Sequence, residues 1–263
     1  KESVGVITYF RWYDKKIKEI IKSDEQIDTE HINIYISVGS NENYLGKLNV
    51  KSNKKQLRSF VKPIEDDIIR MMNGEIDKSS AILYGPPGNS KTTCIRELAK
   101  KYGYDIKFVS FNKDLKNIDI LQGMSYTRDK TFVVFEDFAS VFDKRDVLHY
   151  ENPSFTFDAI LNSIDGIYNN YKNVMFFMTA NDISKIDDSI KNRPSRMKHK
   201  IFVSNPNVQE INDILNDVSL SKKCVGMNVD EVYLVKETYL NMGAKYVNDN
   251  IETLVNRNLD VCQ

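Results

Sequence analysis

Cysteine is scarce: Cys94, Cys224 and Cys262 are the only three in 263 residues. They are widely spaced, odd in number and without zinc-ligand spacing. Free thiols in a reducing compartment such as the cytoplasm are therefore expected. An excess of charge of one sign is missing too. Lys plus Arg total 37, Asp plus Glu total 37, and the formal net charge is zero. A neutral chain exerts no overall pull on nucleic acid or anionic membrane, so nucleic-acid partners have no strong signal, local basic runs such as residues 51–55 apart. No stretch approaches the roughly 18 consecutive apolar residues of a membrane-spanning helix. Internal repeats and low-complexity tracts are absent. The chain opens on Lys1 rather than Met, which leaves open a targeting or anchoring segment ahead of it.

What is present is enough apolar sequence for a sizeable core: 41% of residues are hydrophobic and 28% charged. At roughly 100–200 residues per domain, that length predicts one large or two small domains. Residues 4–13 (VGVITYFRWY) read as a strand, and Asp14 caps a helix through KKIKEIIK. INIYISV (32–38) alternates as a second strand before a turn at Gly39-Ser40-Asn41. Residues 57–72 read as a helix. Beyond Asn73-Gly74, short apolar runs alternate with helices: AILY (81–84), IKFVSF (106–111), TFVVF (131–135) and VMFFMT (174–179). Such runs suit a parallel sheet covered on both faces. After Pro206 helices are expected at 207–217, 228–241 and 245–256. The expected divisions are an α+β N-terminal region (1–60), a large α/β subdomain (61–206) and a helical lid (207–263).

Between the AILY strand and a helix opening at Lys91 stands Gly85-Pro86-Pro87-Gly88-Asn89-Ser90-Lys91-Thr92, followed by Thr93. Glycine lets backbone approach phosphate oxygens, and the loop amides with the helix N-terminus face the anion with donors and positive dipole. Lys91 would reach the terminal phosphates of ATP, and Thr92 would offer its hydroxyl to Mg²⁺. The usual pattern has glycine where Ser90 stands. TFVVF ends on Glu136-Asp137. Beside a phosphate loop, one carboxylate can hold the Mg²⁺ shell while the other polarises the attacking water. By position Glu136 takes the metal and Asp137 acts as base, reversing the usual Asp-Glu order. VMFFMT leads to Asn181, placed to orient that water. Arg193 and Arg196 flank a Pro turn suited to reaching a neighbour's phosphates.

LYGPPGNSKTT, FVVFEDF, FDAILNSIDGI, FFMTAND and KNRPSR follow the order and spacing of AAA ATPases over about residues 60–256. The Glu-Asp order, LNSIDG and INIYISVGSNENYLGKL (32–48) resemble the Bcs-type branch, a mitochondrial family that translocates the Rieske protein. The resemblance implies a P-loop parallel sheet with a helical C-terminal lid, preceded by a small α+β domain. It implies Mg²⁺-dependent hydrolysis of ATP to ADP and phosphate, in a homo-oligomeric ring of six or seven subunits acting on a protein substrate. It implies the mitochondrial inner membrane as location if an anchor precedes the chain. Lys91 and Thr92 then correspond to the phosphate and Mg²⁺ residues, Asn181 to the sensor, and Arg193 and Arg196 to the arginines supplied in trans. Gly243-Ala244-Lys245 is similar to the start of a lid helix. Ser90 and Ser195 depart from the pattern, and residues 112–130, with Met124 and Tyr126, lack an aromatic–aliphatic–Gly threading triplet. Two other readings stay open: a motor acting on nucleic acid, and an ATP-binding clamp with little hydrolysis.

Overall fold

The computed structural model describes residues 31–51, 55, 57–111, 115–138, 156–165, 171–186 and 197–259. The strand expected at 4–13 and the helix after Asp14 lie outside them. The apolar runs form strands β3 (Lys78–Tyr84), β4 (Asp105–Ser110), β5 (Thr131–Phe135) and β6 (Val174–Ala180). Every residue of β5 and β6 is buried. Their side chains alternate between two cores, as a period of two requires. Val133 and Phe135 pack with Ile82, Phe176 and Met178 on one face. Phe132 and Val134 pack with Ala81, Leu83, Met175 and Phe177 on the other. A sheet covered on both sides needs no polar face, and this is why its strands are unbroken apolar runs.

Helices α1 (Lys62–Met72) and α2 (Lys91–Tyr102) cover the second face, burying Ile64, Ile68 and Met71, and Ile95, Leu98 and Ala99. Helices α3 (Asn117–Ser125) and α4 (Phe157–Asp165) cover the first with Ile120, Met124, Ile160, Leu161 and Ile164. Three further strands complete the sheet: β1 (His31–Val38), β2 (Asn41–Asn49) and β7 (His199–Phe202). The seven strands run in the order β2-β1-β4-β5-β6-β3-β7. All neighbours are parallel except β1 and β2.

The β1–β2 hairpin is thus an extension of the same sheet, since β1 pairs with β4 from Ile34–Ile106 to Val38–Ser110. Lys107 on β4 fastens it. Its buried amine donates to the Gly123 carbonyl at 2.8 Å and meets the Glu42 carboxylate of β2 at 2.9 Å. Arg128 meets the same carboxylate at 2.9 Å.

The C-terminal region folds as α5 (Val208–Leu215), α6 (Val218–Lys223) and α7 (Val229–Leu259) around its own core of Ile211, Leu220, Val232, Val235 and Val247. Gly243, at φ 83°, interrupts α7 within the break expected between 241 and 245. Among the described residues, no helix is long and apolar enough to cross a membrane. Cys94 and Cys224 are buried free thiols, both pushed up to about 11 by burial; Cys262 lies outside the described residues.

Candidate functional site

The phosphate-loop sequence spans the gap between β3 and α2. Its first residue is locked from both sides. The Gly85 amide donates to the Ala180 carbonyl at 3.2 Å, tying the loop to the end of β6. On the other side the backbone of β7's exit presses close, and a Cβ on Gly85 would lie 2.4 Å from the Val203 carbonyl oxygen. Gly85 also adopts φ 141°, so both space and backbone require glycine. Gly88, at φ 74°, lies against the Asn228 side chain, which an added Cβ would meet at 2.9 Å.

Lys91 opens α2, and its ammonium folds back over the loop. It donates to the Gly85 carbonyl at 2.7 Å, the Pro86 carbonyl at 3.0 Å and Asn181 Oδ1 at 3.1 Å. Burial pulls the amine below the ordinary lysine value, and the Asp137 carboxylate works in the opposite direction. Lys91, Asp137 and Asn181, read separately from distant segments, therefore meet at one place. One open pocket is lined by the loop from Pro87 to Thr93 together with Glu136, Asp137, Thr179 and Asn181. Pro86, the preceding loop residue, is exposed.

Glu136 and Asp137 stand in a turn directly after β5, both exposed. Asp137 takes the left-handed conformation at φ 45°. Thr179 on β6 holds that turn: its Oγ1 accepts the Asp137 amide at 3.0 Å and its carbonyl accepts the Phe138 amide at 2.9 Å. Thr179 was not singled out by the sequence reading. Its signal was its place two residues before Asn181 on the strand that neighbours β5.

Ser90 is the second left-handed residue, at φ 63°. The usual glycine at this position is thereby explained, and a serine has been fitted to a backbone that favours glycine. Its hydroxyl is buried without a hydrogen-bond partner. Ser90 and Thr93 also line a second cavity of about 290 Å³ on the far side of the loop, with Leu57, Cys94, Ile214 and Tyr233 among its walls. At its edge Arg58 is buried in an ion pair with Glu210 of α5, with Nη2 to Oε2 at 3.0 Å and Nε to Oε1 at 3.3 Å. Arg58 Nη1 also donates to the Ser204 carbonyl at 2.9 Å. Nothing in the sequence pointed to Arg58, which precedes the motif series.

The oxygen donors fit a Mg²⁺ that arrives with phosphates. Among the described residues, no group of three or more His, Cys, Asp or Glu side chains is placed to hold a metal by itself. A hydroxyl at a helix start and one carboxylate are the set expected where phosphates and water complete the shell. Arg193 and Arg196 lie outside the described residues, and of Lys245 only the helical backbone is described.

Comparison with known proteins bears on the same residues. Residues 81–205 match the family model "ATPase family associated with various cellular activities (AAA)". The mitochondrial chaperone BCS1 of Danio rerio is 32% identical over 130 residues, 46% of this chain and 30% of the relative. The human mitochondrial chaperone BCS1 matches with the same identity and coverage. The probable mitochondrial chaperone bcs1 of Schizosaccharomyces pombe is 30% identical over 138 residues, 51% of this chain and 30% of the relative. The match thus spans about 30% of the length of these curated relatives. With the motif series, the parallel sheet and the family match in agreement, residues 81–205 resemble a AAA ATPase domain, and the chain is similar to the Bcs-type branch of that family.

Proposed function

We propose that this chain hydrolyses ATP in a homo-oligomeric ring and uses the energy to remodel or translocate a protein. The observation that carries the reading is the convergence of Lys91, Asp137 and Asn181 on the phosphate loop, from segments with no sequence proximity. Under this reading Gly85 to Thr93 bind the phosphates through backbone amides and the α2 N-terminus. The cavity on the far side of the loop takes the base and ribose. Lys91 exchanges its bonds to the Gly85 and Pro86 carbonyls for phosphate oxygens. Asp137 accepts a proton from the attacking water, and Asn181 orients that water. Thr92 and Glu136 would hold a Mg²⁺ ion, which when bound neutralises developing charge on the phosphates.

Positive charge within the described site is limited to Lys91 and the helix dipole, whereas phosphoryl transfer spreads charge over equatorial oxygens. Arg193 and Arg196 are proposed to supply the remainder to a neighbouring subunit, which makes hydrolysis depend on assembly. The relatives' names support a protein-directed role and a mitochondrial location over a cytoplasmic one or nucleic-acid work. The neutral charge agrees. Measuring phosphate release against protein concentration tests the whole reading. The rate per subunit should rise with concentration and collapse in Arg193→Ala. Mixing Arg193→Ala with Lys91→Ala should restore part of it, because some interfaces join an intact pocket to an intact arginine. A monomer whose rate is indifferent to concentration and to Arg193→Ala would overturn the ring.

A further inference from the structure

Asn89 occupies the phosphate loop, yet its side chain serves the lid. The residue is fully buried. Its Oδ1 accepts the backbone amide of Val229 at 3.3 Å, and its Nδ2 donates to Asn205 Oδ1 at 2.8 Å. Asn205 passes the link on, donating through its own Nδ2 to the Gly226 carbonyl at 2.7 Å. Next to it the Asp230 amide donates to the Gly88 carbonyl at 3.0 Å. Gly88 itself lies against the Asn228 carboxamide.

These contacts fall on the first turn of α7. A helix leaves its first amides without partners inside the helix. Here Asn228 caps the Glu231 amide in the ordinary way, at 2.9 Å. The amides of Val229 and Asp230 are satisfied instead by the phosphate loop. The lid's longest helix therefore begins on the loop and draws part of its N-terminal hydrogen bonding from it. Displacing the loop leaves the Val229 and Asp230 amides of α7 without their acceptors, and displacing α7 leaves Asn89 Oδ1 without its donor. Arg58 braces the same junction through the Ser204 carbonyl and Glu210.

We propose that Asn89 is a positioning residue that transmits phosphate-loop occupancy to the lid. The role needs a side chain with an acceptor for Val229 and a donor for Asn205, spaced as a carboxamide spaces them. This inference rests on the phosphate-loop reading, and its test separates the two. Hydrogen exchange read by mass spectrometry on the full chain, with and without ADP, follows the loop (85–93) and the start of α7 (226–234) independently. Without ADP, Asn89→Ala should raise exchange at 226–234 about tenfold, the loss of one net hydrogen bond of ordinary worth. With ADP the parent should gain protection in both segments, and Asn89→Ala in the loop alone. Asn89→Asp keeps the acceptor, loses the donor and should fall between. Asn205→Ala, which cuts the bridge from outside the loop, should reproduce the decoupling, and it carries the test if Asn89→Ala does not fold. Equal ADP-induced protection of 226–234 in the parent and both alanine variants would overturn the inference. Absence of any ADP effect on the parent loop would instead refute nucleotide binding, and the ADP-free comparison would then decide on the bridge.

Discussion

The phosphate loop and the acidic turn each hold one residue with a side chain in left-handed backbone, Ser90 at φ 63° and Asp137 at φ 45°. Such a conformation costs about 1–3 kcal/mol and persists where surroundings enforce it. Around Asp137 the enforcement is visible, because Thr179 takes both the Asp137 and Phe138 amides. Around Ser90 it comes from the loop as a whole, through Gly85 against β6 and β7 and through Asn89 against the lid. The Ser90 side chain contributes nothing to this, since its hydroxyl is buried without a partner. The contrast teaches that the backbone of one half of the site is anchored chiefly at one threonine, with Phe138 packed into the core beside it, and the other by a distributed clasp. A point change should disable the first more readily than the second.

The largest expected effect is at the acidic turn itself. Asp137→Asn should reduce turnover by about 10²–10⁴-fold, the usual range for a lost base, with nucleotide binding retained. Glu136→Gln should weaken the Mg²⁺ dependence of binding instead. Phosphate release and calorimetry with and without Mg²⁺ distinguish the two; the opposite pattern would exchange their roles. Next comes Lys91→Ala, which removes a charged donor and should lower ATP affinity about 100-fold by calorimetry. Parent-level affinity would show that the loop does not bind phosphate through this residue.

Thr179→Val tests the anchoring directly. It preserves shape while leaving the Asp137 amide without its acceptor, and should cost about 1–3 kcal/mol in chemical denaturation. Turnover should fall with it, while affinity for ADP stays near that of the parent. Thr179→Ser, which keeps the hydroxyl, should recover most of the loss. A variant Thr179→Val with normal turnover would mean that the turn holds its shape unaided, and the contrast with the loop would fail.

How much of this could be read in advance depended on whether a residue's job is local. β5 and β6 were legible because burial on both faces leaves no choice but apolar residues, and TFVVF has the boundaries found in the structure. The helix start at Lys91 followed from the Gly/Pro loop before it. β2 and β7 were missed because edge strands keep one side open to solvent. NENYLGKLN is mostly exposed and has no buried residue, and HKIF sits in a stretch whose lysines and histidine resemble a basic loop. α6 was missed because it is a short VSLSKK segment capped by Asp217. Among the pocket's lining, Lys91 and Thr92 were legible from the Gly/Pro loop that opens their helix, and Glu136, Asp137 and Asn181 from their places at strand ends. Thr179, Arg58 and the second role of Asn89 did not, because each acts through a partner far away in the chain. The lid's bonds to the loop come from Val229 and Asp230, ahead of the Gly243-Ala244-Lys245 segment to which the family resemblance pointed.

The smallest effect, and the one that separates the two halves most cleanly, is expected for Ser90→Gly. Three contributions set its sign. Relief of the left-handed backbone favours the glycine variant by about 1–2 kcal/mol. Removal of a buried hydroxyl with no partner favours it by about 1–3 kcal/mol at most. Against these, glycine gives the unfolded chain more freedom, which costs about 0.4–1 kcal/mol. The balance is a gain of at least about 1 kcal/mol, and each kcal/mol is worth roughly 2–4 °C in Tm for a chain of this size. Ser90→Ala divides the gain, because it removes the hydroxyl and keeps the backbone penalty; it should lie between parent and Ser90→Gly. Because the loop already has the backbone that glycine prefers, neither change should reshape the pocket, and ATP affinity should stay within about threefold of the parent. A fall in Tm for Ser90→Gly would show that the serine hydroxyl is bonded in solution and that the loop is held by its own side chains after all, as the acidic turn is held by Thr179.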